Sequence, residues 1–287
     1  MVTALASARD INSYLDALRA RKRSKTTIRT ARSVLNLFCA ITEVPIIQTA
    51  PDDVEKWLRV RSAHVGTGAL RTQGSYVRGY FRWAVRHGLR DDDPTLLMEL
   101  PRAPRRRPRP IREKLLREAI DGADPIMRAI LSLAALAGLR ACEVAQLDWS
   151  EVWLGDLPQM RVVGKGGHEY TVDISPQLVD VLLAVRRRGG VRRSGPVIPR
   201  LDGRPGFNTP VRISQMANRY LHAMGIEDTL HSLRHRFVTR AYLHAKDLRA
   251  AQEAARHASP TTTAGYAAVG EEAVRGAILH AGTIEAS

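Results

Sequence analysis

Cysteine is almost missing from this chain of 287 residues, with only Cys39 and Cys142 present. Two thiols that fall in different predicted domains exclude a disulfide framework and a cysteine-built zinc site. Histidine does not fill the gap: His64, His87, His168, His222, His244 and His280 stand at no metal-ligand spacing with an acid or a cysteine, so no metal is expected. No apolar run approaches the ~18 residues that a membrane span requires. Residues 1–20 mix charge into their apolar positions and lack the h-region of a signal peptide. Internal repeats and low-complexity segments are absent too. A cytoplasmic protein with no membrane partner is the expectation.

What the sequence has in excess is positive charge. Lys and Arg number 44 against 29 Asp and Glu, a formal net charge of +15, and the isoelectric point is about 10.6. That balance selects a polyanionic partner by sign, leaving DNA, RNA and an anionic surface open. The length suits two domains of roughly 100–200 residues each.

The clearest break runs from Leu100 to Pro110, where Pro101, Pro104, Pro108 and Pro110 deny helix. Arg102, Arg105, Arg106, Arg107 and Arg109 deny burial in the same stretch. Residues 100–111 read as an extended basic linker, and Arg105, Arg106 and Arg107 as candidates to lie along phosphates. The plainer alternative is a solvated loop. Before the linker, residues 1–99 have helical periodicity. Ile28, Ala31, Leu35 and Phe38 share a face, Pro51 with Asp52 and Asp53 marks a helix start, and a third helix is expected from about Ala69 to His87, ending at Gly88. On that helix Arg71, Arg78, Arg82 and Arg86 follow at intervals of seven, four and four, a single basic stripe that could touch DNA or merely be solvated.

After the linker, residues 112–287 are mixed. Helix signals run from Ile111 to Ile120, and a long apolar run extends from Ile126 to Leu139. Met160–Val163 and His168–Val172 flank Gly164-Lys165-Gly166-Gly167 and predict a hairpin with a glycine-rich turn. Ser175-Pro176 opens a helix carrying Leu178, Val179, Leu182 and Leu183. Further helices are expected from about Thr209 to Met224, His231 to His244 and Leu248 to Ala255, and a short one from Ser259-Pro260. The last stretch, Gly270 to Ser287, has an apolar edge at Ala273, Val274, Ala277, Ile278 and Ala281.

Three distant segments carry the chemistry: Ala137-Gly138-Leu139-Arg140-Ala141-Cys142-Glu143-Val144, His231-Ser232-Leu233-Arg234-His235, and the stretch from His257 to Tyr266. Lys165 in the glycine turn lies between the first two. The intervals are 25 residues from Arg140 to Lys165, 66 to His231, three to Arg234, 23 to His257 and nine to Tyr266. Singly, each has a plain reading: Arg140 as a cation capping the C-terminus of a preceding helix, Lys165 as a solvated turn residue, His231 and Arg234 as a helical ion pair or cap, His257 as a packing histidine, Tyr266 as a half-buried ring. Together, in this order and spacing, they resemble the signature boxes of the tyrosine recombinase and phage integrase family, from the helical N-terminal part through Tyr266.

The resemblance implies a mainly α fold with a small β-sheet, built from an N-terminal helical core-binding domain and a C-terminal mixed α/β catalytic domain. It implies Tyr266 as nucleophile, Arg140 and Arg234 as phosphate clamp, Lys165 as general acid, and His231 and His257 as hydrogen-bonding or proton-transfer partners. The residue types suit that chemistry. A tyrosine attacking a phosphodiester conserves the bond energy as a phosphotyrosine, so resealing needs no nucleotide cofactor. Two guanidiniums meet the charge that gathers on the non-bridging oxygens. Tyr266, with an ordinary pKa near ~10, needs a base such as His231 nearby. Glu143, one helical step past Arg140, is expected to bond a catalytic or positioning group, and a plain surface acid is the alternative.

The implied partners are double-stranded DNA at attachment or core-type sites and further copies of the chain, a tetramer on DNA and a monomer or weak oligomer when free. A host accessory protein or directionality factor is a further class of partner. Two departures matter. Arg256 stands where the family usually has glycine, so a different local backbone is expected there, and the residues after Tyr266 lack the His-Pro-Arg-type ending of cellular recombinases that resolve chromosome dimers. The resulting expectation is a minimal two-domain integrase of a phage or mobile element, acting at the nucleoid. A chromosome-dimer-resolving recombinase and a type IB topoisomerase-like enzyme are the alternatives.

Overall fold

The structure is a computed structural model that describes residues 2–102, 109–164, 167–188 and 193–256. It divides into two compact units with the boundary between Arg105 and Arg106.

The first unit carries helices α1 (Val2–Ala20), α2 (Lys25–Thr42), α3 (Pro51–His64) and α4 (Thr67–Arg86). Their starts follow from short polar signals. Ser24 caps α2 by accepting the Thr27 N–H at 3.1 Å, while Pro51 sets the first turn of α3 and the Asp53 carboxylate accepts the Ala50 N–H at 2.9 Å. The apolar face of α2 buries Ala31, Leu35 and Phe38 completely. Phe38 packs 5.7 Å from Trp57 of α3 and 5.9 Å from Phe81 of α4, centroid to centroid, within an aromatic core that also holds Tyr14, Tyr80 and Trp83. Beyond α4, Gly88 takes φ +66° and turns the chain. Arg90 then donates to the carbonyls of Ile47 and Thr49 at 2.7 and 2.8 Å, with its guanidinium 5.6 Å above the Phe81 ring.

The chain next returns along α4. Met98 is buried, and the Leu100 side chain lies where a Cβ on Gly74 would stand, so the bare glycine lets it pack close. Arg78 donates to the Met98 carbonyl and Arg71 to the Pro101 carbonyl. Two arginines of the basic stripe therefore hold main chain, while Arg82 and Arg86 are exposed.

The second unit is arranged around α6 (Pro125–Leu136), in which Ala129, Ile130, Leu131, Leu133, Ala134 and Ala135 are wholly buried. A helix apolar on nearly every side has to be covered on nearly every side. Packed against α6 are α5 (Glu113–Asp121), α7 (Ala141–Gln146), α8 (Pro176–Arg188), α9 (Pro210–Ala223) and α10 (Leu230–Ala245), and α11 (Leu248–Ala254) lies on α10. The predicted hairpin is present as β2 (Gln159–Val163) and β3 (Glu169–Asp173), antiparallel with Met160 opposite Val172 and Val162 opposite Tyr170. Met160, Val162 and Val172 face the core, and Arg161 faces outward to bond Glu151 and Glu169. A two-residue strand, β1 (Val152–Trp153), adds to β2 and completes a three-stranded sheet. The fold is thus mainly helical with a small sheet. Among the described residues no helix is long and apolar enough to cross a membrane.

Candidate active site

The site forms where α6 stops. Gly138 takes φ +62°, and the Phe237 ring of α10 occupies the place a Cβ there would need. The turn ends α6 early and starts α7 at once, with Arg140 as its N-cap residue. Arg140 is consequently the N-cap residue of a new helix, not the capping cation of the old one. One turn later Glu143 folds back, accepting the Arg140 N–H at 2.9 Å on Oε2 and Arg140 Nη1 at 2.7 Å on Oε1. Glu143 is therefore not the plain surface acid of the alternative reading, but a partner of Arg140.

Glu143 is only 2% exposed, and three guanidiniums surround it. Arg256 Nη2 lies 3.2 Å from Oε2, and Arg234 Nη1 lies 4.0 Å from it. Burial alone would raise the carboxyl pKa, but the Arg256 charge and the Arg140 hydrogen bonds overcome it and hold Glu143 below the ordinary carboxylate range. Arg234, on the first turns of α10, is 2% exposed and donates Nη1 to the Gly138 carbonyl and Nη2 to the Ala255 carbonyl. Arg140 donates Nη2 to the Arg256 carbonyl at 3.0 Å and keeps 29% of its side chain exposed. Arg140 is thus the solvent-facing member of the pair, and Arg234 the buried one.

His231 lies in the first turn of the same helix, three residues before Arg234, and is exposed at the edge of the cluster. Its ring meets His235 edge-on at 4.3 Å. Protein packed along one side of the ring, with Arg234 and Arg140 behind it, lowers the His231 pKa, and burial followed by His231 and Arg234 pushes His235 down to about 4. At neutral pH both imidazoles are uncharged, and a neutral His231 is a proton acceptor.

Arg140, His231 and Arg234 are therefore brought together from two separate parts of the second unit. Lys165, His257 and Tyr266 lie outside the described residues, as do Arg105, Arg106, Arg107, the helix expected from Ser259-Pro260 and the segment from Gly270 to Ser287. Arg71, Arg78, Arg82 and Arg86 all belong to the first unit. The residue that sequence reasoning left out of the site is Arg256. It adopts φ +54°, a conformation that glycine enters freely and that costs other residues about 1–2 kcal/mol. The arginine thus keeps a glycine-favoured backbone and adds a side chain to the cluster.

The Phage integrase family model matches residues 111–272, which takes in Arg140, Lys165, His231, Arg234, Arg256, His257 and Tyr266. The chain belongs to that family, the tyrosine recombinases. The Phage integrase N-terminal SAM-like domain model matches residues 11–88, within the first unit. Tyrosine recombinase XerC of Rhodospirillum centenum is 34% identical over 232 residues, covering 75% of this chain and 67% of the relative. The crystal structure of a lambda integrase dimer bound to a COC' core site shares the fold at TM-score 0.72 and 18% identity, covering 90% of this chain and 76% of that one. A lambda integrase tetramer bound to a Holliday junction aligns at TM-score 0.69 and 17% identity, over 88% and 78%. This tyrosine recombinase is accordingly a site-specific DNA strand transferase.

Proposed function

We propose that this recombinase cuts and rejoins double-stranded DNA through a 3'-phosphotyrosyl bond on Tyr266, with Arg140 and Arg234 on the scissile phosphate. The observation that carries the reading is the clamp itself. Three guanidiniums around one carboxylate leave the cluster with an excess of positive charge, at a point where Arg140 is open to solvent. An attacked phosphodiester gathers negative charge on its non-bridging oxygens, and preorganised donors at that position lower the barrier. Neutral His231 beside the clamp takes the tyrosine proton, Lys165 protonates the departing 5'-oxygen, and His257 hydrogen-bonds the phosphate. Tyr266 Oη attacks phosphorus, the P–O5' bond breaks, and the 5'-hydroxyl of another strand later reverses the step. The scheme draws on no nucleotide and no metal.

In this reading the first unit and the linker grip the duplex through Arg71, Arg78, Arg82, Arg86 and Arg105 to Arg107. Contacts to phosphate position the protein, and a few base contacts with DNA deformability select the site. Four copies act together on DNA in the cytoplasm, at the nucleoid, the segment after Gly270 docks on a neighbouring copy, and accessory proteins set direction. Lambda integrase of the same fold, captured on core-site DNA and as a tetramer on a Holliday junction, supports this assembly and an integrase of a phage or mobile element. A second reading, chromosome-dimer resolution, is compatible with the 34% identity to tyrosine recombinase XerC.

The test is a nicked suicide substrate run on denaturing gels. Wild-type protein should form a covalent adduct, and Tyr266→Phe should form none while still binding DNA. Persistent adduct in the variant would remove Tyr266 as nucleophile.

A further inference from the structure

We propose that Arg256 is a positioning residue for strand cleavage, which ties the turn before His257 to the loop that carries Arg140. The inference rests on the reading that Arg140 and Arg234 hold the scissile phosphate.

Arg256 works from both ends. Its guanidinium donates through Nη2 toward the Gly138 carbonyl at 2.9 Å, the Ala137 carbonyl at 3.3 Å and Glu143 Oε2 at 3.2 Å, and through Nη1 to the Ala254 carbonyl at 3.2 Å. Its own carbonyl receives Arg140 Nη2, and the carbonyl before it, that of Ala255, receives Arg234 Nη2. Both clamp arginines therefore lean on the 255–256 turn, and the Arg256 side chain fastens that turn to Gly138 and Glu143. Because the Gly138 carbonyl accepts from Arg234 as well, loop, turn and both arginines close into one network.

The position is a poor choice for stability alone. A guanidinium 3% exposed has given up its hydration, its Nε finds no acceptor among the described residues, and the residue sits at positive φ. None of these burdens is needed to fill space, which glycine or a small apolar residue would leave to its neighbours. What the cation adds is a competitor for Glu143. With Arg256 on Oε2, Arg234 stays 4.0 Å away and is not drawn into a tight pair. Without Arg256, Glu143 Oε2 keeps only the Arg140 N–H as a close donor among the described residues, and the 255–256 turn on which both clamp arginines lean loses its tie to Gly138.

The experiment compares wild type, Arg256→Ala, Arg256→Gly and Arg256→Lys in the full chain. Half-site affinity, thermal denaturation and the single-turnover rate of adduct formation are measured at saturating protein on the suicide substrate. Arg256→Ala and Arg256→Gly should lower the cleavage rate about 10- to 100-fold, the range for residues that orient reacting groups, with half-site Kd little changed. Arg256→Lys, a point charge that reaches fewer acceptors, should recover part of the rate. Arg256→Gly relieves the backbone and keeps the test open should the alanine variant unfold. A glycine variant that cleaves at the wild-type rate, or one whose affinity and melting temperature fall in step with its rate, would overturn the role. Absence of adduct with wild type is a separate result: it overturns the strand-transfer reading and this role with it.

Discussion

The Phe237 ring lies against Gly138 on the side where any other residue would carry its Cβ. The contact joins α10, which holds His231 and Arg234, to the loop that presents Arg140. Gly138→Ala should therefore lower stability by about 1–3 kcal/mol, from positive φ and the collision together, and slow cleavage more than binding. Gly155, where no atom of the described residues stands within 4 Å of the Cβ position, is the control, and Gly155→Ala should change stability by no more than about 0.5 kcal/mol. Urea titrations of both variants decide the matter, and equal midpoints would show that the loop yields.

His235 gives stability an acid-sensitive component. Its pKa falls from 6.5 to about 4 on folding, so between those values the unfolded chain binds the proton more readily. The native state gains nothing from this group above pH 6.5 and loses stability progressively as pH drops toward 4. Glu143 is shifted in the same direction and with the same consequence, since a depressed carboxyl loses its contribution as pH falls below 4.5. The two windows separate. His235→Asn should flatten the fall in urea midpoint between pH 6.5 and 5, leaving a later decline.

The basic stripe of α4 should divide in solution as it does in the structure. Arg82→Ala with Arg86→Ala should reduce the salt dependence of half-site binding by about 0.9 in log-log slope for each phosphate no longer neutralised, with melting temperature unchanged. Arg78→Ala should instead lower the melting temperature, because it frees the Met98 carbonyl. Anisotropy titrations over a range of salt, beside thermal scans, check both. An unchanged slope in the double variant would take that face off the DNA.

In the aromatic core, the Tyr80 hydroxyl is buried without a hydrogen-bond partner among the described residues, and burial raises its pKa. Tyr80→Phe should be neutral or stabilising by up to about 1 kcal/mol, whereas Trp57→Ala should cost about 3–5 kcal/mol. Denaturant midpoints of the two variants test this, and a destabilised Tyr80→Phe would reveal an acceptor for the hydroxyl.

The elements that could be read in advance are those with long periodic faces or strong punctuation. α3 starts at Pro51, α8 at Pro176, and the hairpin has the expected alternation about its glycine turn. α7 and β1, six and two residues long, are too short to show a period, and both are placed by what surrounds them. The same limit hid the orientation of Arg140, because one residue after a glycine break belongs equally well to the helix before or after. Arg140, His231 and Arg234 could be read as a set only through the resemblance of their segments, in order and spacing, to the signature boxes of the family. Arg256 was visible only as a departure, since its meaning depends on carbonyls of residues 137 and 138, far away in the chain. Nor could a stripe of four arginines disclose that main chain at Met98 and Pro101 would engage two of them.

The return of Met98 and Leu100 onto α4 bears on where the first unit can be cut. Its last helix ends at Arg86, yet Leu100 fills the notch over Gly74 and Met98 is 6% exposed. A fragment stopped at the end of that helix would uncover an apolar strip and leave Arg71 and Arg78 without their carbonyls, inviting self-association. A fragment carried through Arg102 retains its own lid. The natural excision point is therefore set by a returning tail of coil that runs well past the final helical turn.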